Sequence, residues 1–457
     1  MTKIADYYGK SAVQNVTEAL EKAKQNESYH SLLSLTKERA LERAKKVDAG
    51  EITGRLAGVP FVVKDNFMAF GAPTTAASKM LENFDAPLQA TAVEKLEAEG
   101  AICIGKANLD AFAHGGSTEN SAFGPTKNAV NPAKVAGGSS GGSAVVTALD
   151  IVPFALGTDT GGSIRQPASF NGVIGMKPTY GTVSRYGVVA MASSTDCIGC
   201  FATNVEDTEL VLSVMAGQDA KDMTTLPDFF KPIESPKSLK IGVIKEFMTD
   251  DVDEDVRQST QDYLSQLEIA GHVVEEVSLP IVKHTLAMYY IIVPAEISSN
   301  LARYDGVRYG HRAEGVKSLA ELYGRSRDEG FVTENKRRIM IGSYVLSSGF
   351  FDAYYQQAQK ARTLLIQELD ELFAAYDILI GPTAPTPAFG FGDNTADPIK
   401  MYLSDVMTVP ASLAGIPAVS VPAGISKEGL PIGVQLMGAR QADALVLAAA
   451  KLVESKQ

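Results

Sequence analysis

The 457-residue chain has no tryptophan, three cysteines and five histidines. Each scarcity closes a route. Cys103, Cys197 and Cys200 are too few for a disulfide framework, and Cys197-Ile-Gly-Cys200 lacks the second ligand pair of a structural zinc site. Ordinary reduced thiols are expected. None of His30, His114, His272, His284 and His311 accompanies a Gly-x-Ser-x-Gly elbow, so a Ser-His-Asp hydrolase is not indicated. There is no apolar run of roughly 18 residues, hence no expected membrane span. Met1 to Tyr8 carry neither an apolar leader core nor an arginine-rich transit pattern, and the expected compartment is the cytoplasm. The Gly-Lys-Ser/Thr of a Walker loop is missing. A formal charge of −12 argues against broad binding of a phosphate backbone by this chain alone.

What is present concentrates between Gly137 and Arg165. Two glycine-rich turns, Gly-Gly-Ser-Ser-Gly-Gly-Ser from Gly137 and Gly-Thr-Asp-Thr-Gly-Gly-Ser from Gly157, flank a short helix and a short strand. The intervening Ala144–Leu149 and Ile151–Leu156 are too apolar for a solvated linker. Glycines at this density let backbone N–H groups converge on one point, which is what an oxyanion requires. Upstream, the apolar Val59–Val63 reads as a buried strand ending at Lys64. A lysine can act as a base only when desolvation lowers its pKa, and a serine hydroxyl needs such a base before it attacks.

These segments resemble the amidase signature family, whose hallmark is a Gly-Gly-Ser-Ser-Gly-Gly turn followed by Asp-x-Gly-Gly-Ser-Ile-Arg. Pro60 to Asn66 is similar to that family's lysine motif. The intervals of 75 residues from Lys64 to Ser139, and 24 from Ser139 to Ser163, match the family's usual ones. By position the resemblance implies a Ser-Ser-Lys triad: Ser163 as nucleophile, Ser139 as bridging serine, Lys64 as base. It also implies an oxyanion hole of backbone N–H groups at Thr160, Gly161, Gly162 and Ser163. No cysteine is usual there at the positions of Cys197 and Cys200.

Within the family, Tyr289-Tyr290, Asn300 to Tyr309, Phe331 to Arg338, Ser347 to Tyr355 and Asp397 to Pro410 resemble the A subunit of the tRNA-dependent amidotransferases. The resemblance implies that glutamine is the substrate, with Arg338 for its carboxylate, Asp405 for its ammonium and Tyr289 for a supporting hydrogen bond. It implies ammonia delivery to a partner, the B subunit, which uses ATP and Mg²⁺ on mischarged Glu-tRNA(Gln) or Asp-tRNA(Asn). A small C subunit completes that assembly. No cofactor or metal is expected in this chain itself. The alternative is a free-standing amidase of the same family acting on a small amide, with no need of Arg338 or Asp405.

The expected fold is α/β: a central mixed sheet covered by helices on both faces, in one amidase domain over 1–457. Residues 1–55 read as N-terminal helices, with Glu42 and Lys46 an exposed i,i+4 pair. Residues 56–220 and 376–457 form the catalytic core, and 239–375 a largely helical second half carrying the substrate-binding residues. Residues 220–238, with Pro227, Pro232 and Pro236, read as an exposed connection.

Overall fold

Lys64 ends a strand that is buried along its whole length, and the rest of the fold explains why. A computed structural model describes residues 1–394 and 398–454; Asp397, the start of one segment singled out above, lies outside them. Among the described residues, eleven strands form one sheet. They are β1 (Leu32–Leu35), β2 (Pro60–Lys64), β3 (Ile102–Ala107), β4 (Phe154–Asp159), β5 (Ile174–Lys177), β6 (Cys197–Ala202), β7 (Lys240–Ile244), β8 (Val273–Val277), β9 (Ile378–Pro382), β10 (Ala418–Ile425) and β11 (Pro431–Met437). Their order is β1-β3-β2-β4-β6-β5-β10-β11-β9-β7-β8. β2 runs parallel to both β3 and β4, and β7 parallel to β8 and β9. The remaining pairs are antiparallel, so the sheet is mixed as expected.

Alternation along the strands sends side chains to two different helical layers. Val62, Ile102, Ile104 and Ala155 pack with Ala12, Val16, Ala40 and Ala44 of the helices Ala12–Gln25 and Lys37–Asp48. Their neighbours Phe61, Val63, Cys103, Phe154 and Leu156 pack the other way, with Val93, Leu96, Val211 and Leu212 of the helices Thr91–Ala98 and Val205–Met215. The rings of Phe61 and Phe154 stack at 5.3 Å across the β2–β4 pair. Burying each such ring contributes roughly 1.5–3 kcal/mol. Strands clothed on both faces read as continuous apolar runs.

One feature departs from the sequence reading. β1 interrupts the stretch expected to be helical. Leu-Leu-Ser-Leu gains its ladder from β3, with Leu32 opposite Ala107, a partner no local period reveals. Cys197 and Cys200 both lie on β6; three residues apart on a strand, they face opposite sides. Cys197 Sγ approaches the Pro178 carbonyl at 3.2 Å, whereas Cys200 approaches Thr208. All three cysteines are buried free thiols, and among the described residues no cluster could hold a metal ion. No helix of the described residues is long and apolar enough to cross a membrane. Glu42 and Lys46 do pair on their helix, at 2.8 Å.

The second half is built on the crossing of the helices Val282–Asn300 and Thr333–Val345. Gly342 sits against the Pro294 carbonyl so closely that any Cβ there would overlap it. That approach brings Tyr289, Tyr290 and Arg338 onto one wall.

Candidate active site

The site gathers at the C-terminal ends of β2 and β4, where open α/β sheets place their ligands. Because the two strands are parallel and adjacent, Lys64 and Thr158 emerge side by side. Lys64 Nζ lies 2.7 Å from Ser139 Oγ, 2.8 Å from Ser140 Oγ and 2.9 Å from Thr158 Oγ1. The amine is fully buried. Burial pulls its pKa down to about 7, against the opposing pull of Asp110, Asp159 and Asp196. Ser140 donates to the Thr158 carbonyl at 3.1 Å, and the Asn66 amide donates to Thr158 Oγ1 at 3.2 Å. A cavity of about 260 Å³ has Asn66 and Thr158 in its lining and reaches Arg185, Asn300 and Arg303.

Ser139 is carried by the glycine-rich turn, with a cis peptide between Gly138 and Ser139. Asp110 and Ser117 press on Gly138 so tightly that a Cβ would overlap them. Asp110 accepts from the N–H groups of Thr118 and Asn120, and burial holds its carboxyl up at about 6.

Ser163 follows β4 on the second turn and is 9% exposed. The turn is closed from behind by Asp159. Its carboxylate accepts Arg165 Nε at 3.0 Å and Nη2 at 2.9 Å, and also the Ile164 N–H. Both side chains are wholly buried. Burial alone would raise the Asp159 pKa, but Arg165 outweighs it and keeps the group ionised. Arg165 also donates to the Thr408 carbonyl, Gln435 and Ser412. With Asp159 taking the inner N–H groups, those of Thr160, Gly161, Gly162 and Ser163 donate to no atom among the described residues.

Glycine is required twice in this turn. A Cβ on Gly161 would stand 2.7 Å from the Tyr289 ring. Gly162 has φ +150°, and a Cβ there would overlap Thr408. Thr408 Oγ1 donates to the Gly161 carbonyl at 2.6 Å. Tyr289 thus lies directly on the turn, while Thr408 ties it to the segment carrying Asp405.

Arg338 is buried between aromatic faces, 5.3 Å from the Tyr290 ring and 5.7 Å from the Tyr402 ring. Its Nε donates to Glu334 at 2.8 Å, and among the described residues its terminal nitrogens donate to nothing. Asp405 is half-buried. Burial raises its pKa to about 7, only partly offset by Arg338. Among the described residues it forms no ion pair with any cation. It sits across from Gly116, where a Cβ would be 3.8 Å from its Oδ1.

The structure therefore brings Lys64 and Ser139 into contact, Tyr289 against Gly161, and Arg338 near Asp405. The lysine's hydrogen bonds stop at Ser139, Ser140 and Thr158; the Ser163 hydroxyl is in none of them.

A family model described as Amidase matches residues 14–447. The chain belongs to the amidase family. This amidase is 50% identical over 455 residues to the glutamyl-tRNA(Gln) amidotransferase A subunit of Gloeobacter violaceus, covering 97% of this chain and 93% of that one. It is 52% identical over 420 residues to the protein of that name from Thermosynechococcus vestitus, covering 90% and 87%. The crystal structure of the glutamyl-tRNA(Gln) amidotransferase A subunit from Thermotoga maritima superposes with a TM-score of 0.84 at 39% identity, covering 100% of this chain and 95% of that one.

Sequence reasoning missed Ser140, Thr158, Asp159, Arg165 and Thr408 as parts of this amidase site. Asp159 and Arg165 lie inside the second glycine motif, and a carboxylate six residues before an arginine was the available signal. Thr408 gave none, being 247 residues from the carbonyl it binds.

Proposed function

We propose that the chain hydrolyses glutamine and supplies ammonia to a tRNA-dependent amidotransferase, as the names of its relatives suggest. The observation that carries glutamine, over an arbitrary amide, is the wall holding Arg338 and Asp405. Two opposite charges stand near one another, without an ion pair between them, beside the turn that bears Ser163. A free amino acid presents their complements. The guanidinium fork suits a carboxylate, and the Asp405 carboxylate suits an ammonium.

Hydrogen-bond accounting supports Lys64 as base. The Ser140 proton goes to the Thr158 carbonyl, so Ser140 accepts from Lys64. With two amine hydrogens directed to Ser140 and Thr158, the lone pair of neutral Lys64 faces Ser139. Ser139 gives its proton to Lys64 and takes one from Ser163, whose Oγ attacks the side-chain amide carbon. The open N–H groups from Thr160 to Ser163 receive the oxyanion. The C–N bond then breaks, the relay returns the proton, and ammonia leaves. Water cleaves the glutamyl ester by the same route reversed, giving glutamate. The cavity bordered by Asn66 and Thr158 opens beside the Thr158 hydroxyl that Lys64 touches. The partner B and C subunits, with ATP and Mg²⁺ used by the former, complete the reaction on mischarged tRNA.

Ser163→Ala tests the assignment. Glutaminase activity should fall by at least roughly 10³-fold while the chain still assembles with its partners. Undiminished ammonia release would reject it.

A further inference from the structure

Gln166 has no part in the chemistry above, yet it is fully buried and both ends of its amide are used. It lies three residues after Ser163, on the helix Arg165–Asn171, with its N–H bonded to the Gly162 carbonyl. Its Oε1 accepts from the Gly138 N–H at 2.9 Å, next to Ser139. Its Nε2 donates to the Gly116 carbonyl at 2.8 Å. Gly116 faces Asp405 and Ser404. The two glycine segments are also stacked on each other: a Cβ on Gly138 would come within 2.9 Å of the Gly116 carbonyl carbon. One rigid amide thus joins the nucleophile's helix to the bridging-serine turn and to the loop opposite Asp405.

We infer that Gln166 is a positioning residue that sets the bridging serine and the ammonium-binding wall in register, so that glutamine bound at Asp405 meets an aligned relay. This rests on the glutaminase reading for its substrate half. The serine half does not depend on it.

The two halves separate by substitution. Gln166→Glu keeps an acceptor for the Gly138 N–H but sets an oxygen against the Gly116 carbonyl. Gln166→Met removes both bonds at similar length. Two quantities are read in each variant: the glutamine KM, and the rate at which a fluorophosphonate probe labels Ser163, which needs no glutamine. In Gln166→Glu at about pH 8.5, above the raised value of about 7 that burial gives Asp405, so that the carboxyl is ionised, KM should rise about tenfold while labelling stays within about twofold of the parent. In Gln166→Met the labelling rate should fall about tenfold as well. An unchanged KM in folded Gln166→Glu, or unchanged labelling in folded Gln166→Met, overturns the inference. So does loss of a cooperative thermal transition in both variants, which would make the role purely structural. A parent chain that labels but does not hydrolyse glutamine defeats the glutaminase reading alone, and the labelling comparison still decides the Ser139 half.

Discussion

Lys64 reaches Ser139 at 2.7 Å with no acidic side chain paired to it among the described residues. Every contact of the amine is a hydroxyl, so nothing offsets the loss of water except distant carboxylates. A buried lysine left this way, with its pKa pulled down to about 7, holds a large neutral fraction at physiological pH, and that is the form a base must take.

At saturating glutamine, turnover should fall about tenfold for each pH unit below about 7, as Lys64 takes up a proton. Lys64→Arg, which stays charged at every accessible pH, should be inactive throughout. A turnover number that is flat from pH 5 to 8 (about the range histidine spans) would remove Lys64 as the base.

Asp405 should govern KM instead. Its carboxyl is held up at about 7, so below that pH the free enzyme carries it neutral and loses its hold on an ammonium. KM should therefore rise as pH falls through 7. Asp405→Asn should raise KM roughly 10- to 100-fold and abolish that dependence. An Asp405→Asn chain with the parent's KM profile would show that the ammonium is bound elsewhere.

Asp159→Asn should be costly to the fold as well as to turnover. It leaves the Arg165 guanidinium buried without its counter-charge, a loss of about 3–5 kcal/mol. The urea midpoint should drop accordingly. An unchanged midpoint together with full activity would mean that the pair does not hold the turn.

The thiols should be silent. Burial pushes Cys197 and Cys200 up to about 12 and Cys103 to about 11. An aromatic disulfide reagent should label none of them in the native chain and all three after unfolding. A chelator should leave the melting temperature unchanged, since the Cys-Ile-Gly-Cys thiols face apart.

Legibility in the sequence followed range. Lys64, Ser139 and Ser163 each stand in a short motif whose glycines and apolar flanks have local reasons, and the strands buried on both faces announced themselves as apolar runs. Arg338, Asp405 and Tyr289 were nameable only through family resemblance. Their meeting depends on Gly342 against Pro294 and on Thr408 against Gly161, contacts between segments far apart in the chain. β1 was invisible for a related reason: four residues pair as a strand only because an edge of β3 is open to them.

The strand order has a consequence for how the molecule is made. β10 and β11, which follow every other strand of the sheet in the chain, lie in its interior, between β5 and β9. Until they arrive, β7, β8 and β9 have no connection to β1–β6 through the sheet, and Arg165 lacks Ser412 and Gln435. A nascent chain stopped before residue 410 would carry Lys64, Ser139 and Ser163 without the frame that aligns them. The site is thus completed only when these two strands close the sheet between β5 and β9, a pairing of segments far apart in the chain.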